Sequence, residues 1–559
     1  MIYQIKKLLK KFKIRDYATP DWNKLIEKNK EEFKFLKKKA NGKKILITTS
    51  AGGLTSCSHF ESLLAFALTY YGAKVEILLC DKVLPACMMA TSNFINEEDF
   101  SKNGIKKTCN ACLDAGKFAF DGLKLKTHYY SDFINSVDIK ESKELCKNLS
   151  LDELINYKDK EDNMSIGEHS LAGALRYYAV GNIRNQKNNQ TILRKFTEAG
   201  IITKKVFENI LSTHNNIDII ISNHAIYIPQ GVICEVTKKY KKKIVSYVTG
   251  YRKNSWIFSH GDTYHYTMMT EPVSDWENMD LNEKKENKIM NYLDSRKYGT
   301  NDWTYYFDNP EFNAEKILIE KGLDLKKPIV LMTTNIIWDA NLIYHDNIFI
   351  NMMEWIFKTI DYFIDRKDLQ LLIRAHPAEV NADRISNELV KDEIFKKYKK
   401  LPKNIFIISS DEKYSTYPLV EYANAILVYA SKVAMEFTSC GYNVVVAGES
   451  YIKNKNITLD PKTQKEYFEI LDKLPFKSKP NEQIIKRAKK YAYHFFLRRT
   501  IVPSSVFESP GSWPIYKIKE NIFEEIKKDK ALKNIVESIL YEKSFIHEEL
   551  NEIKQLREK

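Results

Sequence analysis

Short apolar runs alternate with amphipathic stretches along the N-terminal part of the chain. The runs at 44–49 and 74–80 flank a stretch at 59–71 whose apolar residues recur at helical spacing. Strand, helix and strand in this order predict a parallel sheet with helices on its faces. We therefore predict a first α/β domain over 44–274. Its predicted strands are 44–49, 74–80, 217–222 and 243–248.

A second series of apolar runs follows in the C-terminal part. Helical stretches separate these runs, so the pattern predicts a second doubly wound domain over 327–475. The polar, aromatic and charged stretch 275–326 predicts a linker, and the charged stretch 476–559 predicts a C-terminal helical region. The expected fold class is α/β, with two Rossmann-like domains facing a central cleft. The predicted strands of the second domain are 328–333, 369–374, 404–409, 425–429 and 443–447.

The composition is that of a globular protein. Of the 559 residues, 44% are hydrophobic, and no run of apolar residues is long enough to predict a transmembrane helix. The N-terminus has neither an uninterrupted apolar region nor a small-residue cleavage site, so a secretory signal is not predicted. The eight cysteines are too sparse for a disulfide scaffold. Together these features predict a cytoplasmic protein.

Basic charge is concentrated at the N-terminus. Residues 1–44 hold 15 Lys and Arg against 5 Asp and Glu, so most of the net charge of +14 lies there. This distribution argues against a nucleic-acid partner, which would need a basic surface on the folded domains. In the basic segment 1–43, the apolar residues of 1–13 share one helical face. That face predicts either peripheral binding to an anionic inner membrane surface or a helix that caps the first domain.

Residue types that bind anions follow three predicted strands of the second domain. Arg374 and His376 come first, and a guanidinium and an imidazole can both donate to phosphate oxygens. Ser410 follows the next strand, where a hydroxyl can contact a nucleotide or cap a helix. Ser431 lies at a predicted helix N-terminus, which favours a diphosphate. Glu436 in the same helix is a candidate for binding ribose hydroxyls.

Four blocks within 327–475 resemble the capsule polysaccharide biosynthesis glycosyltransferases, the broad group that includes the Kdo transferases. Their order and spacing, more than any one block, carry the resemblance, which extends loosely to the N-terminal half. It implies a GT-B fold. The blocks are TTNIIWDA, LLIRAHPAE, LPKNIFIISSDEKYSTYPLVEYANAILVYASKVAMEF and GYNVVVAGESYIKNKNITLDPKTQKEY.

The resemblance implies transfer of a sugar from a nucleotide-activated donor to a growing capsular or other cell-surface polysaccharide. At the matching positions, Arg374 and His376 would face the donor phosphates, and Ser431 and Glu436 would hold the nucleotide. The transfer would be inverting and would require no metal cofactor. The chain departs from the family where a glycine is missing between Ser431 and Glu436. It also departs near Tyr451, where Lys-Asn-Lys-Asn replaces a glycine-rich turn.

Two other functions remain open from the sequence. One is a glycerophosphate or phosphoramidate transferase that modifies the same polymer and uses a different activated donor. The other is a non-catalytic assembly protein that keeps the fold to bind partners. A nucleotide-sugar donor and a polysaccharide or lipid-linked acceptor are the partners expected of the glycosyltransferase.

An inverting sugar transfer needs a general base for the acceptor proton, and we expect it from the first domain. The densest group of candidates is Asp262 with His260 and His265, which lie within six residues. Asp262 could be the base or could orient one of the histidines, and the group could also be purely structural. His59 follows the Gly52-Gly53 turn and is a further candidate.

Four cysteines form the pattern C-x6-C-x21-C-x2-C: Cys80, Cys87, Cys109 and Cys112. Thiolates at such spacing can hold structural Zn²⁺ or an iron–sulfur cluster. The alternative is four reduced cysteines, some of them buried as small apolar residues. The sequence leaves both open.

Overall fold

The computed structural model describes residues 19–307, 309–339, 345–382, 384–508 and 517–548. The predicted membrane-binding face of 1–13 lies outside these residues and stays a prediction. None of the helices described is both long and apolar enough to cross a membrane.

The chain forms two compact units, each built around its own sheet. The described residues of the first unit are 19–177, 183–267, 499–508 and 517–548. Those of the second unit are 178–182, 268–307, 309–339, 345–382 and 384–498. The chain therefore leaves the first unit and returns to it near its C-terminal end.

The first unit contains a six-stranded sheet in the order β3-β2-β1-β4-β5-β6. All neighbours are parallel except β5 and β6, which are antiparallel. Strands β2 and β3 lie on one side of β1, and β4 lies on the other, so the strand order reverses between β1 and β4. The strands are β1 Lys44–Thr49, β2 Lys74–Leu79, β3 Lys126–Tyr129, β4 Ile219–Asn223, β5 Lys243–Thr249 and β6 Trp256–His260.

Helices cover the sheet of the first unit. The helix after β1 shows why: its apolar side chains, including Phe60, Leu64 and Phe66, are fully buried in one core cluster with the strands. The helices before β4 are α1 Trp22–Glu27, α2 Lys30–Lys39, α3 Thr55–Tyr70, α4 Glu97–Asn103, α5 Lys106–Phe120, α6 Ser136–Lys147, α7 Leu151–Ile155, α8 Ile166–Tyr178 and α9 Asn189–Thr213. Two more follow β4: α10 Gln230–Lys239 and α11 Tyr264–Thr270.

The second unit contains a five-stranded, fully parallel sheet in the order β11-β10-β7-β8-β9. Its strand order reverses between β7 and β10. The strands are β7 Ile329–Thr333, β8 Gln370–Arg374, β9 Ile405–Ile408, β10 Ala423–Val428 and β11 Val444–Val446. Two doubly wound sheets, one fully parallel and one parallel except for its edge strand β6, confirm the predicted α/β class with two Rossmann-like domains.

The helices of the second unit surround its sheet and pack on each other near its C-terminal end. They are α12 Ser274–Glu277, α13 Glu283–Arg296, α14 Ala314–Glu320, α15 Met352–Asp365, α16 Ala378–Asn381, α17 Val390–Tyr398, α18 Val433–Ser439, α19 Gln464–Leu471 and α20 Glu482–Tyr493. A π-helical turn follows at His494–Arg499.

The structure corrects two predicted boundaries. The stretch 275–326 is not a linker, because α12 and α13 pack against α20 inside the second unit. The stretch 476–559 is not one helical region: α20 belongs to the second unit, while α21 Ile522–Lys528 and α22 Lys530–Tyr541 belong to the first. Phe523 of α21 packs edge-on against Phe66 of α3, with ring centroids 5.1 Å apart. These contacts between distant segments explain why the sequence pattern did not show them.

Candidate functional site

The topology of the second sheet locates a candidate ligand site. In doubly wound sheets, ligands bind outside the carboxyl ends of the strands where the strand order reverses. Here that point lies between β7, which ends at Thr333, and β10, which is followed by Tyr429-Ala430-Ser431-Lys432. We call the residues at these two strand ends, with α18, the carboxyl-edge site.

Glu436 of α18 is the central acid of the carboxyl-edge site. It is only 2% exposed. One oxygen, Oε2, accepts from Arg296 Nε at 3.0 Å and from the Tyr417 hydroxyl at 3.1 Å. The other oxygen, Oε1, is buried and has no hydrogen-bond partner among the described residues. The carboxylate is thus held in place through one oxygen while the other remains available to a hydroxyl donor.

Arg296 extends this cluster to a second acid. Its guanidinium also donates to Asp302, and the Tyr292 hydroxyl donates to the same carboxylate at 2.6 Å. The guanidinium lies 5.1 Å from the ring centroid of Phe496. Arg296 was not a candidate from the sequence, because it belongs to the stretch predicted as a linker.

Lys432 adds a cation beside these acids. Burial lowers its pKa to about 8, and the nearby Arg296 guanidinium adds to this effect. The carboxylates of Glu436 and Asp302 act in the opposite direction. A buried lysine with a lowered pKa is stabilised in its charged form by an anion that binds next to it. The cluster therefore suits a phosphate ligand.

His376 lies near Lys432 and is neutral. Burial lowers its pKa to about 3, with further lowering by Lys432 and Arg374. The Ala378 backbone N–H donates to Nδ1 at 3.1 Å, which places the ring proton on Nε2. His376 can therefore donate one hydrogen bond from Nε2 without adding charge.

Three further polar atoms at this edge are buried without a hydrogen-bond partner among the described residues. They are Thr333 Oγ1 at the end of β7, Asn335 Oδ1 two residues later, and the Tyr429 hydroxyl after β10. Buried polar atoms in folded proteins are nearly always hydrogen-bonded, so each unpaired one calls for a partner such as a ligand or water. Their position agrees with the site that the topology locates.

Arg374 does not have the predicted role. Its guanidinium donates to the backbone carbonyls of Ser409 at 2.5 Å, Tyr414 at 3.0 Å and Glu412 at 3.3 Å. These bonds hold the loop after β9 in place and occupy both terminal nitrogens of the guanidinium, while Nε is buried without a partner among the described residues. We therefore reassign Arg374 from phosphate binding to loop structure.

Ser410 and Ser431 have different outcomes. Ser410 is buried and hydrogen-bonds the carboxyl group of Glu379, after the edge strand β9 and away from the strand-order reversal. Its role is structural. Ser431 is half-buried and is the third residue after the end of β10, which is where the predicted site requires it. However, α18 begins only at Val433 and is seven residues long, so the expected helix N-terminal anion site is not present at Ser431.

The first sheet has its own reversal point, between β1 and β4. The chain after β1 passes through Ser50–Gly53, where Gly52 is needed because a Cβ would lie 2.5 Å from the Cys112 carbonyl oxygen. After β4, His224 and Ala225 adopt left-handed φ values of 67° and 57°. Two consecutive left-handed residues that are not glycine are strained, and such strain is concentrated at functional sites.

The predicted histidines of the first unit do not lie at the same edge of its sheet. His59 lies on α3 just after Ser50–Gly53 but is only 3% exposed. His260 ends β6, which runs antiparallel to β5 and pairs His260 with Val245 near the start of β5. It therefore lies at the amino edge of the parallel strands, opposite to the edge where ligands bind.

The other members of that group are also explained structurally. His260 Nε2 lies 3.0 Å from the Lys543 carbonyl oxygen, and the ring stacks on Phe545. Asp262 accepts from Lys238 at 3.0 Å and has no hydrogen bond to a histidine among the described residues. The His265 ring packs at a tilt on the neighbouring Tyr264 ring, with centroids 4.0 Å apart. The prediction of Asp262, His260 and His265 as catalytic residues is therefore not supported, because the missed antiparallel strand β6 reverses their direction.

Sequence reasoning missed a buried acid in the first unit. Glu61 on α3 accepts from the Thr49 hydroxyl at 2.6 Å and from the Tyr247 hydroxyl at 2.8 Å. Burial raises its pKa to about 7, against the effect of these two donors. Both oxygens are occupied, so Glu61 connects β1, α3 and β5 inside the unit.

The structure gives no metal-binding arrangement of the four predicted cysteines, although they lie close enough together to raise one another's pKa values. Among the described residues, no three or more His, Cys, Asp or Glu side chains form a group that could hold a metal ion. Cys112 Sγ instead accepts from the Gly53 N–H at 3.1 Å. Burial raises the pKa of Cys80 to about 12 and that of Cys109 to about 11, and also raises that of Cys87, so these thiols stay protonated at neutral pH.

Comparison with known proteins gives structural similarities only. No protein-family model and no curated protein matches the chain. Among solved structures, the KpsC beta Kdo 2,4 transferase of Thermosulfurimonas dismutans is 12% identical, covers 56% of this chain and 88% of its own, and has a TM-score of 0.34. The KpsC beta Kdo 2,7 transferase of the same organism is 12% identical, covers 58% and 90%, and has a TM-score of 0.32.

A third similar structure is UDP-GlcNAc 2-epimerase from Neisseria meningitidis bound to UDP-GlcNAc. It is 10% identical, covers 80% of this chain and 95% of its own, and has a TM-score of 0.25. At such low identity and TM-score, these similarities do not establish a family or an activity. The fold rests on the two sheets themselves.

Proposed function

We propose that the chain is a glycosyltransferase that uses a nucleotide-activated sugar, with the donor nucleotide bound at the carboxyl-edge site of the second unit. The observation that carries this proposal is Glu436: one carboxylate oxygen is fixed by Arg296 and Tyr417, and the other is buried and unpaired. A ribose hydroxyl supplies the donor that this oxygen lacks. The sequence resemblance to capsule glycosyltransferases supports the same reading.

The neighbouring residues suit the rest of a nucleotide. Lys432 provides a positive charge for the phosphates, and His376 provides a neutral Nε2–H donor. In sugar transfer, negative charge develops on the leaving phosphate oxygen, and a fixed cation stabilises it. Lys432 takes this role in place of Arg374.

The acceptor would bind at the strand-order reversal of the first unit. His224 is half-buried there, whereas the predicted candidate His59 is almost fully buried. An imidazole has a pKa near neutrality and can take a proton from an acceptor hydroxyl. We therefore propose His224 as the first residue to test as the general base.

The basic segment 1–13 is a separate part of the proposal. Five lysines in this segment favour an anionic membrane surface, where a polysaccharide acceptor can be lipid-linked. Cosedimentation with vesicles of phosphatidylserine, compared with vesicles of phosphatidylcholine, tests it. Equal binding to both at physiological salt would contradict it.

The proposed donor site is tested by thermal unfolding with CMP, UDP, GDP and ADP. We expect one of these nucleotides to raise the melting temperature of the wild type selectively. Glu436→Gln should lose this stabilisation, and the matched control Glu421→Gln, at an exposed position of the same unit, should keep it. A wild type that no nucleotide stabilises would overturn the proposal.

The donor class separates this function from its alternatives. A glycosyltransferase consumes a nucleotide sugar and releases the nucleotide. A glycerophosphate-type transferase instead consumes a nucleotide-linked polyol such as CDP-glycerol. Release of nucleotide from neither donor, together with normal polymer production by the Glu436→Gln variant in cells, would favour the assembly protein.

A further inference from the structure

One segment of the second unit, residues 301–307, contacts Arg296 near its start and His376 near its end. We call it the covering segment. Near its start, Asp302 accepts from Arg296, which holds Glu436. Near its end, the Tyr306 ring lies edge-on to His376, with centroids 5.4 Å apart. The covering segment therefore extends from the Arg296–Glu436 pair to His376.

The last residue of the segment is also fixed. The Arg374 guanidinium lies 5.8 Å from the ring centroid of Phe307. Arg374 ends β8, the strand next to β7, so this contact places the end of the segment beside the carboxyl edge of the sheet. Contacts at residues 302, 306 and 307 thus hold both ends of the segment at that edge.

Two polar atoms of the covering segment are buried and unpaired. They are Asn301 Nδ2 and Thr304 Oγ1, neither of which has a hydrogen-bond partner among the described residues. A buried donor without an acceptor is costly, and the cost is removed when a ligand supplies the acceptor. Glu436 Oε1 in the same cluster is also unpaired. It is an acceptor, so it needs a donor such as a ligand hydroxyl.

The order of these atoms follows the order of a nucleotide. His376 and Lys432 mark the phosphate end, and Glu436 marks the ribose. In chain order, Thr304 lies between Asp302, which accepts from Arg296, and Tyr306, which contacts His376, so it falls on the phosphate side of the segment. Asn301 precedes Asp302 in the chain, so it falls at the opposite end of the segment from Tyr306 and His376.

We propose that the covering segment recognises the donor nucleotide, with Asn301 donating to a carbonyl oxygen of the nucleobase and Thr304 donating to a phosphate oxygen. This inference rests on the proposed function and adds the residues that determine base specificity. Uracil, cytosine and guanine carry a carbonyl oxygen, and adenine does not. The site therefore selects against adenine nucleotides.

Calorimetric titration of the full chain with the preferred nucleotide, its nucleoside and ADP tests the inference. Asn301→Ala should weaken nucleotide binding about tenfold and reduce the preference over ADP. Thr304→Val should weaken nucleotide binding and leave nucleoside binding unchanged, and Thr304→Ser should restore it. Asn278→Ala, at an exposed asparagine of the same unit, is the control and should bind as the wild type does.

A measurement without ligand guards against variants that fail to fold. Because Thr304→Val removes an unpaired buried hydroxyl, it should keep or raise the melting temperature of the free protein. Wild-type affinity and base preference in both variants would overturn the inference while leaving the donor site intact. A wild type that binds no nucleotide would overturn the proposed function as well, so the two failures are distinguishable.

Discussion

Arg296 donates through Nε to the Glu436 carboxylate at 3.0 Å, across 140 residues of sequence. Both side chains are almost completely buried, with exposures of 7% and 3%. A buried ion pair does not by itself add much stability, because its desolvation offsets most of its attraction. Its value here is positional: it fixes one oxygen of Glu436 and directs the other toward the proposed ligand.

Removing Arg296 should therefore affect both folding and binding. Arg296→Ala leaves the Glu436 and Asp302 carboxylates buried without their cation, and we expect a loss of about 3 kcal/mol in the free energy of unfolding. Arg296→Lys should recover part of this loss but bind nucleotide less well, because an ammonium cannot donate to both acids with the same geometry. Urea unfolding and nucleotide titration measure the two effects. Unchanged stability in Arg296→Ala would contradict the structural role of the pair.

Nucleotide binding should depend on pH through Lys432. Its pKa is lowered to about 8, so the side chain is charged below pH 8 and loses its charge as the pH rises above it. His376 stays neutral in this range, since its pKa is lowered to about 3. A nucleotide phosphate has a second pKa of about 6, so its charge is largely complete by pH 7 and changes little above it. Affinity should therefore fall as the pH rises from 7 to 9.

The variant Lys432→Met tests the origin of this dependence. It should bind nucleotide weakly at pH 7 and show little further change up to pH 9. The control Lys462→Met changes an exposed lysine of the same unit and should keep the wild-type profile. If Lys432→Met kept the full pH dependence, another group would carry it.

Arg374 illustrates what a strand-end pattern cannot reveal. An arginine followed by Ala-His-Pro after a strand looks suited to phosphates, and the following histidine does lie at the site. The guanidinium, however, is turned toward three backbone carbonyls of the loop after β9. The sequence shows which residues end a strand but not which way a long side chain points, because the loop that captures it lies 35–40 residues away.

Replacing Arg374 should therefore cost stability more than affinity. Arg374→Met leaves carbonyl groups of Ser409 and Tyr414 buried without donors, and we expect a loss of about 3 kcal/mol. At a temperature where the variant remains folded, its nucleotide dissociation constant should stay within about threefold of the wild-type value, a difference under 1 kcal/mol. A stable variant that has lost nucleotide binding would return Arg374 to the ligand site.

Most strands were predictable from the sequence, and the boundaries of the units were not. Apolar runs such as 44–49 mark β1 without error, because a central parallel strand is buried on both faces. The short strands β3 and β6 were missed, since each is brief and carries polar residues. The stretch around Arg296 has the composition of a polar linker, although its buried charged side chains pair with each other or with Glu436. Composition shows how many charged residues a stretch contains but not which of them form pairs.

The missed strand β6 also decides the last prediction, which concerns the general base. His260 ends this antiparallel strand at the amino edge of the sheet, whereas His224 follows β4 at the carboxyl edge.

With the donor identified by thermal unfolding, release of nucleotide in the presence of acceptor polymer measures turnover. His224→Ala should lower turnover about a hundredfold, the usual contribution of a general base. His260→Ala should change it less than twofold, with a modest loss of stability from the Phe545 stack. The wild-type pH–rate profile should lose its acidic limb in His224→Ala, which a purely structural role would not produce. Loss of turnover in His260→Ala alone would restore the amino-edge histidine as the catalytic candidate.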